Sequence, residues 1–292
     1  MLFKMRRAWV VAGSVAGLCA FAPAAHAEFG VSKFDAGTCT MNTEPAPQCT
    51  RDSDPAFWYS LAGGHPQWGI TDFAFNTTGL LQTPDGNVKD VHVDLPVGLS
   101  VNPEATPKCT TAQLEAQACP PDSAVGTNYI TTVSAAIKAP IPTTVYNMVQ
   151  PEGMPARFGM SVPVVGGQIY LDGGVAWDSD YHESFTISDI TDAIPLYETR
   201  LVFNGRAGDG TFITMPSTCN GPATTGLQVD SHQEPGKYLA YSTVTPIGAS
   251  GCDDLPFSPT VGVAVDTRVA GAPSGVTIDV GLPRNPNGKD KP

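Results

Sequence analysis

Between Val88 and Thr127 the chain reads VKDVHVDLPVGLSVNPEATPKCTTAQLEAQACPPDSAVGT, an order that few folds can accommodate. Val91, Val93 and Leu95 alternate with His92 and Asp94, the period of a strand with one buried face. Pro96 and Gly98 end that strand, because proline offers no ladder N–H and glycine permits positive φ. Pro103 and Pro107 keep the next connection extended. Thr110 and Gln113 then have the spacing of a capping box, and Ala112 to Ala116 are good helix formers.

Cys109 and Cys119 bracket this short helix, and Pro120-Pro121 forbids its continuation. An unbroken helix between the two cysteines would span roughly 15 Å, at 1.5 Å of rise per residue. A disulfide requires Cα atoms within about 7 Å. If the two pair, the helix is held to about two turns and the chain doubles back near Gln117. The alternative is that each pairs elsewhere.

The start of the chain reads as a leader. Lys4, Arg6 and Arg7 precede the apolar run Ala8 to Ala22, and Ala25-His26-Ala27 is a small-residue cleavage signature. The run is short for a membrane span. A signal peptide over 1–27, cleaved after Ala27, is therefore expected, with a secreted or cell-surface destination. Leu18 before Cys19 is too large for a lipidation site. Cleavage would remove three basic residues and no acidic one, leaving 13 Lys and Arg against 28 Asp and Glu, a net −15. Such a surface repels nucleic acid and anionic lipid, and no basic stretch would follow a phosphate backbone. No later apolar run is long enough to be a transmembrane segment of the mature chain.

Six cysteines remain: Cys39, Cys49, Cys109, Cys119, Cys219 and Cys252. An even number in an exported chain points to disulfides. Two pairs share a C-x9-C spacing, so local pairing is the simplest choice and leaves Cys219 with Cys252. Zinc is the alternative, although no C-x2-C or H-x3-H occurs.

Short β-rich runs fill most of the remaining chain. Trp68 to Phe75, Tyr129 to Val133, Thr143 to Val149, Arg157 to Val162, Ile169 to Leu171, Ser184 to Ile187 and Thr199 to Phe203 are each bounded by turn residues. Beyond 110–117 the helix candidates are only weak ones, such as Asp189 to Ala193. With 27 prolines and 30 glycines, an all-β fold is expected: a β-sandwich of short antiparallel strands with one short disulfide-flanked helix. Residues 28–60 read as an irregular disulfide-pinned arm, with Phe57-Trp58-Tyr59 packing against the sheet. Residues 61–258 form the sandwich module. Ala270-Gly271-Ala272-Pro273 and Val276 to Val280 echo Ala62 to Pro66 and Trp68 to Phe73. Residues 259–292 thus read as the start of a second, truncated module.

Leu95-Pro96-Val97-Gly98-Leu99-Ser100-Val101-Asn102-Pro103, Ala105-Thr106-Pro107-Lys108-Cys109 and Ala118-Cys119-Pro120-Pro121-Asp122-Ser123-Ala124-Val125-Gly126 together resemble a known pattern. Met215-Pro216-Ser217-Thr218-Cys219-Asn220-Gly221-Pro222 and Gly251-Cys252-Asp253-Asp254-Leu255-Pro256-Phe257 extend it. The chain resembles, over about residues 60–290, a family of large, uncharacterised secreted actinobacterial surface proteins built from repeated β-rich, disulfide-bearing modules. The resemblance implies location and architecture and carries over no catalytic residue. Against that pattern the chain ends early.

Candidate chemistry is sparse. His65, His92, His182 and His232 lie among no nucleophile-elbow motif, although a Ser-His-Asp site could assemble from distant residues. Asp178, Asp180 and Glu183, backed by Asp189 and Asp192, are hard oxygen ligands that would suit calcium, but they lack the EF-hand spacing and equally suit a solvated loop. Trp58, Trp68, Trp177 and Tyr181 are aromatic candidates for sugar stacking. Trp177 and Tyr181, beside carboxylates, form the best pair, against the commoner fate of a tryptophan in the core. Asn76-Thr77-Thr78 fits a glycosylation acceptor. The sequence therefore reads as an exported structural or adhesive module without catalytic activity, with a cell-envelope or extracellular glycan or protein as partner. A carbohydrate-binding protein, with or without calcium, is the alternative.

Overall fold

The computed structural model describes residues 28–40, 49–50, 53–79, 82–132, 139–162, 167–193, 195–208, 210–255 and 259–281. The leader expected over 1–27 lies outside the described residues, as does the end of the chain after 281. Among the described residues the protein is all-β, with short antiparallel strands and one short α-helix. The strands longer than two residues are β1 (Val31–Cys39), β2 (Trp68–Phe75), β3 (Val88–Asp94), β4 (Ala124–Thr132), β5 (Ile141–Asn147), β6 (Arg157–Val162) and β7 (Gly167–Val175). They continue with β8 (Glu183–Ile187), β9 (Leu196–Asn204), β10 (Pro222–Ser231), β11 (Leu239–Gly248), β12 (Thr260–Val265) and β13 (Val276–Gly281), and the helix is α1 (Thr111–Glu115).

Eleven strands make one sheet in the order β1-β2-β9-β4-β5-β6-β7-β8-β3-β10-β11. The run from β4 to β8 is a plain meander. β3, far earlier in the chain, then pairs with both β8 and β10. Five register shifts interrupt the ladders, at Val31/Lys33, Ala124/Gly126, Leu196/Glu198, Pro222/Thr224 and Val229/Ser231. Bulges of this kind bend a strand and increase its twist, and here the sheet rolls until its two edges meet. The Val31 N–H on edge strand β1 donates to Tyr241 Oη on edge strand β11 at 3.1 Å. The expected sandwich is thus a single rolled sheet whose halves face each other.

Alternation decides what fills the roll. On β6, Phe158, Met160 and Val162 point inward, and Phe158 lies with Phe185, Phe203 and Phe212 at ring-centroid distances of 5.2–5.5 Å. Phe73 and Phe75 of β2 cross the interior to meet Val91 of β3 and Leu227 and Val229 of β10. The outer face of β6 carries Arg157, which forks onto Asp172. It also carries Gly159, where a Cβ would come within 2.9 Å of Leu114 Cδ2. The missing side chain is the socket into which α1 docks, and Leu114 is fully buried there with Cys109 and Met148.

The central stretch folds as its residues require. Thr110 Oγ1 accepts from the Gln113 N–H at 3.2 Å while Gln113 Oε1 accepts from the Thr110 N–H at 2.9 Å, a complete capping box. The helix ends in a Schellman motif, with Gln117 N–H donating to Leu114 O and Ala118 N–H to Gln113 O. Gln117 supplies the left-handed residue at φ 54°. The chain doubles back there, and Cys109 and Cys119 are bonded with Cα atoms 5.2 Å apart. The pairs Cys39–Cys49 and Cys219–Cys252 are also bonded, so the sulfurs are occupied by each other and zinc is not their role.

Two expectations are corrected. The arm over 28–60 is not irregular at its start: Val31–Cys39 is a nine-residue edge strand of the main sheet, paired along β2. Its buried members Asp35, Ala36, Thr38 and Cys39 are small or polar, so no apolar alternation announces it. The helix candidate at Asp189 to Ala193 is not helical. Asp189 sits at φ 54°, and its N–H donates to Asp90 Oδ1 at 2.8 Å, which ties the segment to β3. Beyond the body, β12 and β13 pair with each other and with no other described strand.

Candidate functional site

The tip of the β7–β8 hairpin gathers most of the chemistry in the sequence. Ala176 N–H donates to His182 O at 3.0 Å, and Tyr181 N–H returns to Ala176 O at 3.2 Å, closing a tight loop over residues 176–182. Tyr181 lies in the left-handed region at φ 61°, a conformation that favours glycine and that here swings its ring outward. Trp177 and Tyr181 are 69% and 64% exposed, edge to face with centroids 6.1 Å apart. Trp177 is not a core residue. Trp58, by contrast, is buried with Cys39, Cys49, Ile70 and Val202, and Trp68 is half-buried against the same group while lining an open surface space of about 470 Å³ with Tyr59 and His65.

Below the aromatic pair runs a chain of side-chain hydrogen bonds. The β3–β8 register sets Asp94 opposite Ser184 and His92 opposite Thr186. Asp94 Oδ1 faces His92 Nε2 at 2.9 Å and His182 Nε2 at 3.1 Å. His182 Nδ1 meets Asp180 Oδ1 at 2.5 Å, and His92 Nδ1 meets Thr186 Oγ1 at 2.8 Å. A neutral imidazole carries one N–H, so a ring held between two carboxylates is best satisfied as imidazolium. The Asp180 bond, aided by Asp94 and opposed by partial burial, holds His182 above the usual histidine range. The same bond holds Asp180 below the usual carboxylate range.

The acidic residues do not converge. Glu183 turns inward and accepts the Val101 N–H at 3.0 Å, and burial pushes its carboxyl up. Asp180 is taken by His182, and Asp189 pairs with Lys89 at 3.1 Å. Among the described residues no three His, Cys, Asp or Glu side chains stand together as metal ligands. The other two described histidines contact backbone carbonyls, His65 Nδ1 on Ile213 O at 3.0 Å and His232 Nε2 on Ile190 O at 2.6 Å. The Thr186–His92–Asp94 line puts the hydroxyl on Nδ1 and the carboxylate on Nε2, the reverse of a serine-hydrolase relay. Asn76 Nδ2 is engaged with Glu28 O at 3.2 Å.

Sequence reasoning found Trp177 and Tyr181 but missed the link between Asp94 and His182. The i, i+2 spacing of His92 and Asp94 places both on one strand face and was a readable signal. Their meeting with His182 depends on a pairing across 88 positions, which no local pattern shows. No family model, no curated protein and no solved structure matches the chain.

A second feature lies outside the tip. The β12–β13 register pairs Val261 with Val280, Val263 with Ile278 and Val265 with Val276, so six branched apolar side chains share one face. That face is open, with Val263 65% and Ile278 62% exposed. The opposite face carries Thr260, Gly262, Ala264, Thr277 and Asp279.

Proposed function

We propose that this chain is an exported structural or adhesive module of the cell surface, without a reaction of its own, that associates with a second copy through the β12–β13 face. The open row of six apolar side chains carries the reading. A two-stranded hairpin is marginal alone and gains stability when its apolar face is covered. Within the body, the comparable β1–β2 pair is covered by apolar strands from the opposite half of the roll. The uncharged row on β12–β13 is matched by a like row on another copy, two hairpins stacking face to face about a two-fold axis. Three disulfides suit an oxidising compartment, and the leader-like residues 1–27 and the family resemblance support the same location.

Sedimentation velocity on the disulfide-intact protein tests the reading. The unaltered chain should dimerise as concentration rises, and more readily at high salt, which screens the acidic bodies from each other. Ile278→Lys should remain monomeric with an unchanged melting temperature of the body. A monomer at every concentration and salt would refute association through this face.

A second reading rests on the exposure of Trp177 and Tyr181. Their faces and the adjoining Asp178 form a platform suited to stacking on a sugar ring while carboxylate oxygens accept its hydroxyls. On a glycan array, binding lost in Trp177→Ala and retained in Ile278→Lys would assign the tip to an extracellular glycan. Silence of the unaltered protein would dismiss this reading.

A further inference from the structure

The open space beside Trp68 measures about 470 Å³, within the ~300–1,000 Å³ typical of small-molecule sites. Its walls come from segments that backbone hydrogen bonds hold in place. Trp68 begins β2 and stands opposite Asn204, the last residue of β9, so the two share a face of the sheet. Gln67 N–H donates to Cys39 O at 3.1 Å and Gly205 N–H to Gln67 O at 2.8 Å, which extends the ladders past the strand ends. Beside β1, Thr40 N–H donates to Phe57 O and Tyr59 N–H to Thr38 O, both at 2.9 Å. Two glycines permit the close fit of these segments. A Cβ at Gly205 would fall 1.6 Å from Pro66 O, and one at Gly64 would fall 2.3 Å from Tyr59 Oη.

The lining is aromatic and polar at once. Tyr59 and Trp68 are both half-buried, and Trp68 packs on the cluster of Cys39, Ile70 and Val202, which limits its movement. Thr40, Gln67 and Asn204 line the same space with uncharged polar groups. A ligand hydroxyl both donates and accepts, and side-chain amides and hydroxyls answer in both directions. His65 lines the space as well. Its Nδ1 faces a carbonyl, so a neutral ring carries its proton there and keeps Nε2 as an acceptor.

Charge narrows the choice of ligand. No carboxylate stands among the described lining residues, and the one guanidinium, Arg206, is engaged in a contact of its own. On a chain of net charge −12, an anionic ligand would meet repulsion without a dedicated cation to offset it. We infer that this opening binds a neutral sugar unit of a glycan, its C–H face on Trp68 and its hydroxyls on Gln67, Asn204 and Thr40. The site is separate from the β12–β13 face and from the Trp177 tip, and depends on neither.

Calorimetric titration of the disulfide-intact protein with cellohexaose, mannohexaose, galactohexaose and hexagalacturonate tests the assignment. At least one neutral hexasaccharide should bind, with an affinity that salt leaves unchanged, and hexagalacturonate should bind at least about tenfold more weakly. Trp68→Leu, which keeps an apolar side chain on the Cys39 cluster, should weaken the neutral sugar at least about tenfold. Gln67→Ala, at an exposed position where folding is not at risk, should weaken it about fivefold. Trp177→Ala and Ile278→Lys should bind as the unaltered chain does. Three results would overturn the proposal: no binding of any neutral hexasaccharide, equal or tighter binding of hexagalacturonate, or loss of binding in Trp177→Ala with retention in Gln67→Ala.

Discussion

Gln117 holds a position that glycine usually takes, the left-handed residue after a helix, and it does so at φ 54°. A residue with a Cβ bears roughly 1–2 kcal/mol of strain there. Gln117→Gly should therefore raise stability by about 0.5–1 kcal/mol, after the greater freedom of glycine in the unfolded chain is subtracted. A thermal melt at constant disulfide state measures it. At the hairpin tip the prediction concerns pH. His182 is raised in the folded state, so its contribution is complete below the usual histidine range and lost as pH rises through the elevated value. Asp180 is lowered, so its contribution exists above the usual carboxylate range and is lost as pH falls through the depressed value. The tip should be best ordered from mildly acidic to near-neutral pH. Trp177 fluorescence against pH should show both limbs, and His182→Gln should remove the alkaline one and weaken the acidic one, because the same bond holds Asp180 down. The capping pair Thr110 and Gln113 was readable because a capping box is local, whereas the His182 partners were not.

Single elements hold together through a few buried polar groups. Pro103 and Pro107 stiffen the connection before α1, and their carbonyls need a donor that the turn does not provide. Asn147, fully buried on β5, supplies it: its Nδ2 donates to Pro103 O at 2.7 Å and to Thr106 Oγ1 at 3.1 Å. Asn147→Ala should cost about 3 kcal/mol by leaving buried carbonyls unpaired, and urea unfolding would measure it. Strands with strict alternation, such as Arg157–Val162, were legible to the residue. Val31–Cys39, Pro222–Ser231 and Leu239–Gly248 were not. Pro246 lies inside the last of these, tolerated because β11 is an edge strand. Threonine and serine runs on β10 and β11 hide the inward Leu227 and Val229 from a period-two reading.

At the scale of the whole molecule, the all-β class follows from turn residues and strand spacing, but closure into one roll does not. Closure depends on bulges, on the pairing of β3 with β8 and β10, and on the approach of β1 to β11. Each is a long-range match without a local signature. The disulfides fasten the outside of this roll: one ties β1 to the segment after it, one closes the turn of α1, and one links the β10 entry to the chain after β11. What the roll leaves uncovered is the β12–β13 face, and there the functional account stands or falls. Hydrogen exchange of the amides of Val261 to Val265 and Val276 to Val280, followed at low and high protein concentration, tests it most directly. Association through this face requires rapid exchange in dilute solution and protection that grows with concentration, while the body is protected throughout. Exchange at the same rate across the whole concentration range would contradict it.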